Sequence, residues 1–191
     1  MYIFNYNYNL HKNQLVFLFK IISKFIKKIQ MKHQVLEIKT NSNNIYPLSL
    51  FLKKHSTYQY KTLVDLIAYD LPGKQLRFTL IYNLLSVDYN SRILIRTKIL
   101  EKLPIITTLV SLFSGSGWLE REVFDFFGIF FINHFDLRRL LTDYGFVGYP
   151  LRKDFPLTGF VEIVYDDSQK HIIYRPVELT QNFRNFSFKN V

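Results

Sequence analysis

Apolar side chains recur along the chain with changing rhythm. Over residues 14–30, Leu18, Ile21, Ile22, Phe25 and Ile29 follow helical spacing, with Lys20, Lys24, Lys27 and Lys28 on the opposite face, which predicts an amphipathic helix. Val35–Lys39 reads as a short strand. Ile45–His55 reads as a helix with Leu48, Phe51 and Leu52 on one side. Leu63–Asp70 fits either state and ends at the turn signal Pro72-Gly73. Phe78, Leu80, Tyr82 and Leu84 then alternate, as do Ile93, Ile95 and Ile99. With the polar loop Ser86–Ser91 between them, these runs predict a β-hairpin with one buried face.

Pro104 suits the first turn of a helix carrying Ile105, Leu109 and Leu112. After a Ser-Gly-Ser-Gly break at Ser114–Gly117, a second helix is predicted from Trp118 to Gly128, the latter a good C-cap residue. Beyond Phe131, charged residues, glycine, proline and aromatics mix without a sustained period up to Gly159. Phe160–Tyr165 predicts a short strand, and Arg175–Val191 has no core-forming pattern.

Composition narrows the chemistry. The chain has 191 residues and no cysteine, so disulfides, thiolate-held iron–sulfur clusters and cysteine zinc sites are excluded. The 5 histidines form no H-x₃-H pair. No glycine-rich phosphate cradle is present. The longest apolar run, Leu15–Phe19, is far shorter than the ~20 residues that span a bilayer. The net charge of +10 is concentrated at the start: Lys12, Lys20, Lys24, Lys27, Lys28 and Lys32 all precede Glu37, the first acidic residue. The abundance of Phe, Tyr, Ile, Asn and Lys matches an AT-rich genome such as an organelle's. An organellar ribosomal protein, binding RNA through the basic N-terminal region, is therefore one reading.

Two clusters could carry function. On the helix from Trp118, Glu120, Arg121, Glu122 and Asp125 crowd together, with Arg121 and Asp125 at i,i+4 spacing. An arginine between carboxylates favours their ionised forms, so the cluster reads as a structural ion-pair network. A standalone hydrolase using Glu120 or Glu122 is the weaker alternative. The second cluster contains His134, Asp136, Arg138, Arg139, Asp143, Arg152, Lys153 and Asp154, interleaved with Tyr144, Phe146, Tyr149 and Phe155. Such loops are usually binding surfaces. His134 and Asp136 have no nearby Ser or Cys nucleophile to complete a triad.

The stretch Trp118–Gly128 (WLEREVFDFFG) resembles the signature of one core subunit of respiratory complex I, the family of mitochondrial NADH dehydrogenase subunit nine and its bacterial C-chain relatives. The likeness continues through Asn133-His134, Asp136–Arg139, Leu141–Phe146 and Pro150–Leu157. Upstream it takes in Val64-Asp65, Tyr82–Ser86 and Tyr89–Ile93, and downstream Arg175–Leu179 and Phe183-Arg184. It covers roughly residues 33–188. Four positions depart from the family pattern, which has Pro where Phe135 stands, His where Tyr149 stands, and commonly an acidic residue at Arg175 and Asn182.

The resemblance implies a subunit without its own active site or cofactor, with flavin, iron–sulfur clusters and quinone on neighbouring subunits. It implies docking in the peripheral arm, chiefly against the large quinone-site subunit, with no nucleic acid and no transmembrane span. It further implies a place on the matrix face of the mitochondrial inner membrane and a gene in the organelle genome. Glu120, Arg121, Glu122 and Asp125 would anchor the helix, while Arg138, Arg139, Arg152, Lys153 and Asp154 would bind partner chains. Pattern and resemblance together predict an α+β fold: a mixed, largely antiparallel sheet covered by helices, an N-terminal amphipathic helix and an extended C-terminal partner-binding tail. The corresponding divisions are 1–32, 33–131 and 132–191.

Overall fold

The computed structural model describes residues 22–32 and 35–186. The chain divides into two compact units, Met1–Lys153 and Asp154–Val191. The first is α+β. Its sheet has five strands, β1 (Ile26–Lys32), β2 (Val35–Asn41), β3 (Thr62–Asp70), β4 (Phe78–Ser86) and β5 (Ser91–Ile99), in the order β1-β2-β5-β4-β3. Only β2 and β5 run parallel; the other neighbours are antiparallel. Helix α1 (Ile45–Lys54) follows β2, and a β3-β4-β5 meander returns the chain to β2's side.

Alternation explains the sheet. Leu36 and Ile38 on β2, Leu80, Tyr82 and Leu84 on β4, and Ile93 and Ile95 on β5 are in register and buried. They join Ile45, Leu48 and Leu52 of α1 in one core cluster. The intervening positions, among them Glu37, Lys39, Arg92, Arg96 and Lys98, point to the other face. Glu37 pairs there with Arg96 at 2.8 Å.

Strands stand at the C-terminal end of one expected helix, after a 3-10 turn at Ser23–Phe25, and at the start of another. Ile26–Lys32 is edge strand β1, while residues 14–21 of the expected helix lie outside the described residues. A register shift between Ile26 and Lys28 inserts one residue and hides the period-two pattern, so Ile26 and Ile29 look helically spaced. Lysines on such an edge discourage pairing with another chain. The segment after Pro104 is strand β6 (Ile105–Thr107), paired in parallel with β7 (Phe130–Ile132). Phe130 N–H donates to Pro104 O at 2.8 Å, and Thr108 N–H to Ile132 O at 3.0 Å. The β-branched run Ile105–Thr108 favours this ladder over a helix. The second predicted helix is present as α2 (Ser116–Phe127), so β6, α2 and β7 form a small βαβ unit.

The edge strand β3 ends in a buried ion pair. Arg77 donates through Nε and Nη2 to the two oxygens of Asp70, each at 2.7 Å, with Asp70 wholly buried. The hydrogen bonds from Arg77 hold the Asp70 carboxyl below its ordinary range. Asp70 also accepts Lys153 N–H at 2.8 Å, fastening the end of the first unit to the sheet.

In the second unit, β8 (Val161–Asp166) and β9 (His171–Pro176) form an antiparallel hairpin. The strand expected at Phe160–Tyr165 is thus present, and β9 is an addition to it.

Arg77→Met leaves a buried, unpaired carboxylate and should cost about 3–5 kcal/mol, whereas Asp70→Leu with Arg77→Met should recover most of the loss. Denaturant unfolding of the full chain and both variants measures this.

Candidate functional site: a loop built on helix α2

Helix α2 ends at Gly128, whose φ of +69° is left-handed and whose N–H caps Phe124 O at 2.8 Å. Space imposes a second constraint there: an added Cβ would lie 2.5 Å from Arg152 Nη2 and 2.6 Å from the Tyr149 ring. The helix end is therefore packed under the returning loop.

Asp125 organises that loop. Its carboxylate is wholly buried and accepts N–H bonds from Leu140 (3.1 Å), Leu141 (2.7 Å) and Thr142 (2.9 Å). It also accepts the Thr142 hydroxyl at 2.6 Å and Arg139 Nη1 at 3.1 Å. Burial pushes its pKa upward, but the Thr142, Leu141 and Leu140 donors outweigh it and hold the value at about 2. Arg139 also donates to Gly148 O at 2.8 Å. Arg152 donates to Phe127 O at 2.6 Å, one of the carbonyls left open at the helix C-terminus. The Tyr149 ring lies 5.1 Å from the Arg139 guanidinium and 4.4 Å from that of Arg152, within cation–π range of both.

Arg121 does not pair with Asp125 as its i,i+4 spacing suggested. It donates to Arg138 O and Arg139 O, both at 3.2 Å, and lies over Trp118. Arg139, fourteen residues beyond Asp125, takes the ion pair. That substitution was invisible without the loop's path, although two arginines beside a buried-helix carboxylate were a usable signal.

Glu120 faces the opposite way and is fully buried. It accepts the Thr108 hydroxyl and Leu109 N–H (2.8 Å) from the β6–α2 connection. Burial raises its pKa to about 7, partly opposed by the bond from Thr108. The Tyr82 hydroxyl is raised as well, by burial first and then by Glu120's charge. His134 lies against Glu120, with Nε2 3.9 Å from the carboxylate. Nδ1 accepts Asp136 N–H at 3.1 Å, so Nε2 carries the proton and donates to Gly117 O at 3.2 Å. Phe135 stacks on the His134 ring at 5.1 Å.

The remaining candidates are peripheral. Glu122 is exposed beside a small cavity of about 200 Å³ shared with Asp65 and Leu151. Arg138 pairs with the neighbouring Asp136, and Lys153 and Asp154 are exposed. Glu120 is fully buried, so it presents no carboxylate at the surface, where the hydrolase reading would need one. In this arrangement charged groups on one helix determine the course of a long aromatic loop: a structural scaffold on an α+β domain.

The comparisons give that scaffold a family. The sequence profile described as the respiratory-chain NADH dehydrogenase 30 kDa subunit matches residues 38–161. Subunit 9 of NADH-ubiquinone oxidoreductase from Reclinomonas americana is 49% identical over 90% of this chain and 83% of its own length. NADH dehydrogenase (ubiquinone) iron-sulfur protein 3 of Beta trigyna is 46% identical over 92% and 93% respectively. Among solved structures, the trypsin-resistant fragment of Nqo5 superposes with a TM-score of 0.51 at 25% identity, covering 58% of this chain and 89% of that one. The chain belongs to the 30 kDa subunit family of respiratory-chain NADH dehydrogenase, complex I. None of these relatives is ribosomal. The words "iron-sulfur" in a relative's name do not fit the donors here: there is no cysteine, and no group of three or more His, Asp or Glu could hold a metal among the described residues.

Ionisation of these two helix carboxylates has opposite consequences. Asp125, depressed to about 2, contributes stability that is present above the unfolded pKa near 3.8 and lost as pH falls through about 2. Asp125→Asn should therefore cost on the order of 2 kcal/mol at neutral pH and little near pH 2. Glu120, raised to about 7, favours the fold below pH 4.5 and loses that contribution as pH rises through about 7. The stability of Glu120→Gln relative to the parent should rise on the order of 2–3 kcal/mol between about pH 5 and pH 8. Urea unfolding across pH checks both; a flat difference for Glu120→Gln would mean the carboxylate is not desolvated.

Proposed function

We propose that this chain is a non-catalytic subunit of the peripheral arm of mitochondrial NADH:ubiquinone oxidoreductase, stabilising the quinone-reducing module beside the large quinone-site subunit. It works on the matrix side of the inner membrane, with flavin, clusters and quinone on neighbouring chains. Family membership supports the complex. The observation that carries the docking role is the β8–β9 hairpin.

Opposed residues in an antiparallel pair share a face. Val161↔Pro176, Ile163↔Tyr174 and Tyr165↔Ile172 therefore give one wholly apolar face, while Glu162↔Arg175, Val164↔Ile173 and Asp166↔His171 form a mixed face on the other side. On the apolar face Val161, Ile163, Tyr165, Ile172 and Tyr174 are each 55–62% exposed. An isolated two-stranded hairpin is marginal in water, so this ladder needs a cover. Aromatic anchors at spaced points are what a partner subunit would bury. On the mixed face Arg175 pairs with Glu162. On the first unit, exposed Trp118, Phe135 and Tyr144 with Arg138 supply a second partner-facing surface.

Tyr165→Lys with Tyr174→Lys should lower the amount of assembled complex while leaving NADH:quinone turnover per assembled complex unchanged. Normal assembly with collapsed turnover would overturn the scaffold reading. Hydrogen exchange should find the hairpin amides protected in the complex and fast in the free subunit.

A further inference from the structure

A cavity of about 670 Å³ opens in the first unit, at the ends of β2 and β5 on the sheet face turned away from the core. That size suits a small-molecule ligand. Its lining has two parts. Leu76, Leu100, Leu103 and Ile132, between 37% and 62% exposed, form an apolar wall with Ile105. Lys27, Lys28, Lys39, Arg96 and Lys98 form the other side. Strand register brings Lys28 opposite Lys39 and Lys39 opposite Arg96, so three cations stand in a row across three strands. Like charges directly opposite one another are destabilising. Among the described residues, Glu37 is a carboxylate paired with this row: it is buried, 2.8 Å from Arg96, and accepts Gln30 Nε2 at 2.5 Å. The chain before Glu37 contains no acidic residue, so the N-terminal segment cannot neutralise the row. The lysines make no hydrogen bond or ion pair among the described residues.

We propose that this cavity binds a phosphate-bearing amphiphile, its phosphate on Lys28, Lys39 and Lys98 and its apolar body on Leu103, Ile105 and Ile132. The one arginine of the lining has its Nε against Glu37, and the remaining cations are lysines, point charges that suit a phosphate better than a planar carboxylate. The amphiphile is either a phospholipid or a free organophosphate; both present the same chemistry.

The test titrates the full chain with dodecyl phosphate, dodecyltrimethylammonium and inorganic phosphate. It uses the parent, Lys39→Gln with Lys98→Gln, and a charge-matched control, Lys54→Gln with Lys74→Gln. Dodecyl phosphate should bind the parent and control alike, in a salt-sensitive way, and the pocket variant about tenfold or more weaker. The alkylammonium should not bind, and inorganic phosphate only weakly. Competition by phosphatidylcholine vesicles containing phosphatidylglycerol, but not by pure phosphatidylcholine, assigns the site to a lipid headgroup; no competition assigns it to a soluble organophosphate. Equal affinity of the pocket variant and control, or binding of the alkylammonium as tight as that of dodecyl phosphate, overturns the proposal. So does a pocket variant whose sole defect is complex assembly, which would make the cavity a contact for an acidic segment of another subunit.

Discussion

A single carboxylate sets the course of the chain after the sheet. Asp125 sits wholly buried on α2, and a buried anion is tolerable only when its lone pairs are filled. Three consecutive backbone N–H groups, one hydroxyl and one guanidinium fill them, and all five come from residues 139–142. A loop without regular structure would otherwise have to satisfy those amides with water. The charge on the helix thus takes the place of a strand partner for the loop, and Arg139, placed by it, reaches on to Gly148 O. The loop returns over the helix end, where Arg152 caps Phe127 O and Lys153 N–H meets Asp70 on the far side of the sheet's edge strand.

Glu120 performs the complementary task on the other side of the same helix. Its acceptors hold Thr108 and Leu109, the point where β6 hands over to the turns before α2. One helix therefore ties the segment before it and the segment after it through two carboxylates five residues apart in different solvation. The donors around Asp125 make its ionised form the stable one; the sparse, sealed surroundings of Glu120 do the reverse. The result is a surface built mostly from loop and tied to one helix, on which Trp118, Phe135 and Tyr144 are exposed.

Much of this was legible beforehand, and the failures have physical causes. The β4–β5 hairpin, α1 and α2 follow from periodicity because each buries one regular face. Strand β1 was hidden by one bulged residue, Lys27, which turns a period of two into an apparent period of three. Strand β6 was hidden because Ile105, Leu109 and Leu112 do share helical spacing; Leu109 and Leu112 are buried from turns instead, and Pro104 accepts a ladder bond rather than opening a helix. The charged cluster on α2 was picked out from the sequence, but the pairing expected within it differs from the one observed. Local spacing favours Arg121 with Asp125, yet five donors from one loop outcompete a single i,i+4 contact worth a few tenths of a kcal/mol. The shared apolar face of the β8–β9 hairpin also escaped the sequence, because β9 carries Arg175 and Pro176 and looks irregular until its register with β8 is known.

The departure at Tyr149 follows from the same geometry. The ring is flanked by Arg139 and Arg152, both fixed by hydrogen bonds to α2 or its loop, and it lies against the glycine that caps the helix, Gly128. Whatever occupies position 149 must therefore face two permanent cations. Histidine meets that requirement only while neutral, since an imidazolium there would add a third positive charge to the pair. A tyrosine ring presents its negative π face to either guanidinium and keeps doing so throughout the range in which histidine titrates. Compared with the histidine that the resemblance leads one to expect, tyrosine fills the available space with a flat ring that carries no group titrating in that range. The joint depends on the ring's shape and negative face, and a tyrosine supplies both.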